Sequence, residues 1–313
     1  MSATAPGREP RPASARRIRP RGAAAPWLLM APFLAMFALV FVAPVGYAVY
    51  QSLITVRRRG LFGEDGRETA FAGLENYRIA LENDAFTASI GRVLLFGAVQ
   101  VPVMLALALL LALLLESASA AWPGLFRALY FLPYGVPGVV ASLLWGFLYV
   151  PGLSPLVDVA ALAGLEVDPL GPGTVLWSIA NIVTWQFAGY NMVVLIAQLK
   201  SIPRELYEAA RIDGAGPVQT ARRVQLPLIR PALVLTAVFS IIGTLQLFVE
   251  PLVLAQFTPN IDSGYTPNLG AYGSAFTDNQ YNVAAAQSVL VALAAFALSF
   301  SFLALVHRMG RNR

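Results

Sequence analysis

Apolar residues run along this chain in long blocks separated by short charged patches. Residues 22–56 carry no charge, and neither do 93–115, 128–157, 169–199, 231–249 and 279–307. A helix rising 1.5 Å per residue needs about 20 apolar residues to cross a hydrocarbon core of ~30 Å. The shortest block has 19 residues and the longest 35, which predicts six membrane-spanning helices near 27–51, 86–115, 125–150, 174–199, 231–255 and 283–306. One such block alone fits a buried helix of a water-soluble protein, but six leave too little polar sequence to enclose them. The predicted fold class is an all-α polytopic membrane protein. Its transmembrane domain (27–306) lies between a disordered Arg/Pro-rich tail (1–26) and a short tail (307–313).

Composition agrees. Hydrophobic residues make up 57% of the 313 residues and charged ones 12%, about half the charged share of a soluble domain. Mean hydropathy is +0.64. There is no cysteine and one histidine, His307. That removes disulfides, thiolate metal sites and multi-histidine centres. An intramembrane enzyme would have to rely on a Ser–His pair at His307, so this class is set aside. The apolar run 27–52 is far longer than the 7–15 residues of a cleavable signal's core, so it is expected to be an uncleaved first span.

Basic residues orient the chain, because they concentrate in cytoplasmic loops. With both termini inside, 16 fall on the inner side. Six fall outside, all counted to the first outer loop: Arg57, Arg58, Arg59, Arg67, Arg78 and Arg92. Six acids accompany them, so they do not mark an anion site. The amino-terminal arginines serve topology and anionic headgroups. No folded basic domain accompanies them, so nucleic-acid binding is not expected.

Several spans contain helix breakers: Pro133, Gly135, Pro137 and Gly138 in the third, Gly189 in the fourth, Gly243 and Pro251 in the fifth. Backbone groups freed in lipid need protein partners or a water-lined cavity. Glu250 is the only acid placed inside a span, and such a residue is a candidate functional group. Counted from Pro231, it lies ~28 Å along its helix, near the outer interface, so substrate contact and interfacial placement both remain open. Trp185, Tyr190, Asn191, Gln246 and Glu250, with Asn181 and Gln186, are the candidate substrate path. Aromatic faces stack on sugar rings while amides bond hydroxyls, although belt residues and interhelical bonds use the same side chains.

The one long polar inner segment is 200–230, "KSIPRELYEAARIDGAGPVQTARRVQLPLIR". Pro203 and Glu205 suit a first helical turn, Leu206, Ala209 and Ala210 share an apolar face, and Asp213-Gly214 stops the helix. Gly216-Pro217 starts a second helix, which Leu226-Pro227 is expected to end. A compact knob results.

Glu208-Ala209-Ala210, Asp213-Gly214-Ala215, Leu226-Pro227 and Pro231 resemble the EAA loop of permease subunits in binding-protein-dependent ABC importers. The preceding "IPRELY" (202–207) resembles the carbohydrate, maltose-type branch. The likeness extends to "WLLMAPFLAMF" (27–37), "LENYRIAL" (74–81), "FRALYFLPYGVPGVVASLLW" (126–145) and "YNVAAAQSV" (281–289). One departure is "EPLVLAQFTPN" (250–260), where many relatives carry a Thr-x-Gly-Gly-Pro-like turn.

The resemblance implies a coupling helix that docks into an ATPase subunit. Glu208 would make a polar contact there, Ala209 and Ala210 would allow close fit, and Asp213, Gly214 and Ala215 would shape the turn. It further implies a second homologous permease, two ATPase subunits, an extracytoplasmic sugar-binding protein and a bacterial inner membrane. ATP and Mg would bind the partner ATPase, with no cofactor in this chain. The residues agree on that last point. A P-loop needs lysine after glycine, and the only lysine, Lys200, follows Leu199. A self-contained channel or secondary transporter is the alternative expectation.

Overall fold

The computed structural model describes residues 25–58, 67–117, 120–164 and 166–311. The predicted disordered tail lies outside these residues except for its last two, which open the first helix. Arg59 also lies outside them.

The chain forms two compact units, the first running through Tyr47. It contains α1 (Ala25–Phe37), a π-helical turn (Ala38–Val42) and the first half of α2 (Ala43–Ser52). The π turn has a local cause. Pro44 would drive its ring into the carbonyl four residues back, and the wider turn, in which the Ala43 amide donates to Ala38, makes room. Trp27–Ser52 reads as one candidate membrane span.

In the second unit, β1 (Ile54–Arg58) pairs antiparallel with β2 (Arg67–Phe71), from Ile54↔Phe71 to Arg58↔Arg67. Helix α3 (Glu75–Glu82) anchors this hairpin: the Asn76 amide donates to the Ser52 and Ile54 carbonyls, both at 2.8 Å. Helix α4 (Asp84–Leu115) is capped by Asn83, whose side chain accepts from the Phe86 amide.

The third predicted span is not one helix. It is α5 (Pro123–Phe131), a 3₁₀ turn (Leu132–Gly135) and α6 (Gly138–Tyr149), bent by 98°. Pro133 and Pro137 supply no amide hydrogen, so the ladder cannot cross Leu132–Pro137 unbroken. Next come α7 (Pro155–Leu162), α8 (Val175–Lys200) and α9 (Arg204–Ile212). After them, α10 (Pro217–Thr220), a second π turn (Ala221–Gln225) and α11 (Leu226–Leu245) form a continuous run. The chain ends with α12 (Val249–Leu254), α13 (Pro267–Phe276) and α14 (Tyr281–Arg311).

The fifth span departs most from expectation. It was placed at 231–255 after a separate short helix ended by Leu226-Pro227. Instead, helix runs from Pro217, through Pro227 and Pro231, to Leu245, and α12 follows after a short break. The physical reason repeats that at Pro44. The Leu226 amide donates to Ala221, five residues back, and the widened turn takes up Pro227. Among the described residues, five helices are long and apolar enough to span a membrane, or six with the bent pair counted as one. The chain is a multi-pass, all-α membrane protein.

Two buried clusters organise this unit. One joins Ala108, Ala112, Leu195, Leu199 and Ile229 at the α9 end of the helices. The other joins Phe96, Tyr149, Ile179, Leu254 and Tyr265 at the opposite end. Between them α4 and α8 pack along most of their length.

Candidate functional site

Each break in a span is closed by a specific polar side chain. On α8, Gln186 donates to the Val136 carbonyl at 2.7 Å, inside the α5–α6 bend. On α13, Asn268 donates to the Leu245 carbonyl at 3.1 Å, where α11 ends. These bonds replace ladder bonds that the breaks forfeit. Gly189 makes the first arrangement possible, because a Cβ at this position would overlap the Tyr130 carbonyl.

The breaks open a cavity of about 380 Å³ between α4, the Leu132–Gly135 turn, α8, α11 and α12. Of the predicted path residues, Tyr190, Asn191, Gln246 and Glu250 line it. Tyr190 stacks on Tyr134, with ring centroids 4.7 Å apart and planes at 22°. Phe187 meets Tyr134 edge-on at 5.9 Å. Asn191 is buried and donates to the Phe187 carbonyl at 3.1 Å.

The other predicted residues sit elsewhere. Trp185 is not among the lining residues. It packs into the buried cluster, edge-on to Trp145 at 5.9 Å. Asn181 donates to the Tyr149 hydroxyl at 2.9 Å. Glu250 does not lie far along a straight fifth helix. It occupies the first turn of α12, after the break at Gln246, and a Cβ added to Gly138 would be 3.9 Å from its Oε1.

Sequence reasoning missed Gln100, Tyr134 and Ser240 on the cavity wall. Polar spacing alone does not separate them from interhelical hydrogen-bond formers. Arg92 was counted to an outer loop but lies on α4, two turns in. Its Nη1 donates to the Tyr265 carbonyl at 2.7 Å, and its guanidinium carbon stands 4.5 Å from the Tyr265 ring centroid. Burial raises the Tyr265 phenol above its ordinary value, while the Arg92 charge pulls it back.

The knob is a hairpin of α9 and α10. Gly214 adopts φ +74°. The Ala215 amide donates to Ala210 at 2.9 Å and the Gly214 amide to Arg211 at 3.0 Å, a Schellman stop that uses glycine where the left-handed conformation is needed. Leu206, Ala209, Ala210, Asp213 and Ala215 face Gln219, Arg223 and Val224 across a cleft of about 280 Å³. Glu208 lies on α9 but not among the residues lining that cleft. The Tyr207 hydroxyl donates to the Leu199 carbonyl at 3.4 Å and accepts from Gln225 at 3.4 Å, tying the hairpin to the end of α8. Ile212 and Val218 are 86% and 82% exposed. Arg127 forms an ion pair with Glu116, joining the start of α5 to the end of α4. Among the described residues, no group of three or more His, Cys, Asp or Glu side chains is placed to hold a metal ion.

Residues 104–311 match the family described as "Binding-protein-dependent transport system inner membrane component". The chain is similar to the lactose transport system permease protein of Rhizobium radiobacter, with 32% identity over 88% of this chain and 91% of that protein. It is also similar to the sn-glycerol-3-phosphate transport system permease protein of Pectobacterium atrosepticum, with 30% identity over 88% of this chain and 91% of that one. Among solved structures, a chain of a bacterial ABC transporter involved in import of the acidic polysaccharide alginate superposes with TM-score 0.76 and 21% identity. That match covers 90% of this chain and 96% of the other.

Proposed function

Because the chain belongs to the family of binding-protein-dependent transport-system inner membrane components, and is therefore a non-catalytic transport subunit, we propose that its central cavity is part of the path for a sugar or oligosaccharide. The α9–α10 hairpin is the lever through which an ATPase partner moves that path. The observation that carries this reading is mechanical continuity. Pro217–Leu245 forms one helical run that starts in the hairpin and supplies Phe239, Ser240, Gly243 and Thr244 to the cavity wall. From Pro217 to Ser240 the run covers ~35 Å. A push at the hairpin therefore reaches the wall as a rigid-body movement rather than through a flexible loop.

The sugar assignment is supported by relatives named for lactose and sn-glycerol 3-phosphate and by a cavity that mixes stacked aromatic rings with amides. A solved complex of the alginate transporter with a periplasmic protein carrying an alginate pentasaccharide supports delivery by a separate binding protein. A second permease subunit would complete the path. Two ATPase subunits would bind ATP and Mg, since this chain has no P-loop. The hairpin and both termini would then face the cytoplasm across an inner membrane.

The test is a reconstituted complex in which Glu208→Ala or Gly214→Val is introduced. Loss of sugar-stimulated ATP hydrolysis with normal membrane insertion supports the lever. Normal coupled uptake in both variants, or uptake by this chain without any ATPase, overturns it.

A further inference from the structure

We propose that the cavity selects by charge, accepting uncharged or amine-bearing polyols and rejecting anionic ones, with Glu250 as the determinant. This rests on the reading of the cavity as part of the path. It goes further by choosing between chemistries that similarity leaves undecided, since relatives are named for both a neutral sugar and a phosphate ester.

The lining holds one ionisable acid, Glu250, and no arginine, lysine or histidine. Among the described residues Glu250 makes no ion pair. The first turn of α6 lies beside it, as the Gly138 geometry shows. A helix amino terminus offers roughly half a positive charge, too little to cancel the carboxylate.

Part of the amide capacity is already committed within the protein. Gln100 is buried, and its amide nitrogen is taken up by the Thr184 hydroxyl at 3.3 Å and the Met104 sulfur at 3.4 Å. Its Oε1 has no partner. The Asn191 amide nitrogen is likewise used, by the Phe187 carbonyl. The hydroxyls of Tyr134, Tyr190, Ser240 and Thr244 and the Gln246 amide also line the cavity and can pair with the hydroxyls of a polyol, but none of them carries a positive charge. A phosphate or carboxylate binds most strongly where a cation faces it, and here the charged group on the wall is the Glu250 carboxylate, beside the negative faces of Tyr134 and Tyr190. A hydroxyl or an ammonium group finds its complement in both.

The test exploits the absence of cysteine from the chain. Ser240→Cys, on the cavity wall, is introduced into the assembled complex. Its labelling by neutral, cationic and anionic methanethiosulfonates is followed by the mass of this chain, with exposed Leu74→Cys as the reference. Relative to the reference, the cationic reagent should outpace the anionic one by on the order of 100-fold, since one charge at roughly 10 Å in an effective dielectric of about 20 speeds the cation and slows the anion by more than about tenfold each. Glu250→Gln should bring the ratio close to that of the reference, and Glu250→Lys should invert it. Equal labelling by the two charged reagents, or a ratio that Glu250→Gln leaves unchanged, overturns charge selection but spares the path. Failure of even the neutral reagent to label Ser240→Cys overturns the path itself, and the inference with it.

Discussion

The α9–α10 hairpin and the cavity beneath Tyr134 distribute polarity in opposite ways. The hairpin is contiguous in sequence, closes on its own turn at Gly214, and leaves Ile212 and Val218 open to whatever covers them. The cavity is drawn from α4, α8, α11, α12 and a 3₁₀ turn, and the broken helices around it are held by amides that do not line it, Gln186 and Asn268. A docking lever needs a stable shape and an uncommitted face. A transport path needs breaks in lipid, and each break must be satisfied before anything is left for a passenger. Substitutions in the two regions should therefore fail differently: in the cavity scaffold by loss of fold, in the hairpin by loss of coupling.

The largest effect is expected at Gly189. A Cβ there overlaps the Tyr130 carbonyl, and backbone cannot yield as a flexible side chain can. Gly189→Leu should destabilise the complex by about 3 kcal/mol or more, at the upper end of overpacking costs. Size-exclusion profiles and melting in detergent would read this directly. Gly243, on the cavity wall, has nothing within 4 Å of its would-be Cβ. Gly243→Ala should melt at or slightly above wild type, because alanine favours helix by up to ~1 kcal/mol. Equal melting of the two variants would remove the scaffold half of the contrast.

Next comes Gly214→Val. The φ of +74° costs a residue with a Cβ ~1–2 kcal/mol, which shifts a local equilibrium by about 5- to 30-fold. Coupled ATP hydrolysis should fall by that factor with melting nearly unchanged, and Gly214→Asn should recover part of it, since asparagine tolerates the left-handed region. A melting loss as large as that of Gly189→Leu would mean that the hairpin is scaffold too.

Smaller again are Ile212→Asp and Val218→Asp. Both side chains are exposed in this chain, so its own stability should be untouched. If a partner buries them, each should weaken capture of the ATPase by roughly 1–2 kcal/mol, about 5- to 30-fold, measured by co-purification. Unchanged capture would place the docking face elsewhere on the hairpin.

The same contrast explains what could be read from the sequence. Span positions followed from charge-free blocks, because lipid imposes one rule on every residue of a span. The hairpin's start at Pro203 and its stop at Gly214 were legible because caps are local. The joining of α10 to α11 was not, since Pro227 reads as a stop, and only the π turn at Ala221–Gln225 shows how the helix continues. Nor was the cavity legible beyond part of its wall. Glu250, Tyr190, Asn191 and Gln246 stood out as polar or aromatic groups inside apolar runs, but so did Trp185. Whether such a residue faces a void or a neighbour depends on pairings between helices that are distant in sequence. Gln100 and Tyr134 were passed over for the same reason.

Trp185 supplies the finest test of that last point. It shares the apolar, amide-flanked setting of Tyr190 and lies less than two turns from it on α8. Yet its ring packs against Trp145 within the buried cluster, while Tyr190 stacks on Tyr134 at the cavity. Trp185→Phe removes part of an aromatic contact and some buried area, a loss of about 1–2 kcal/mol. It should lower melting slightly and leave the uptake rate per folded complex within about twofold of wild type, because nothing at the cavity wall changes. Tyr190→Ala should do the reverse in proportion: a modest melting change, and a clear loss of uptake as the stacked pair is dismantled. If Trp185→Phe instead alters uptake at unchanged melting, the path reaches beyond this cavity toward the α6 side of α8, and the division between scaffold and path has to be redrawn there.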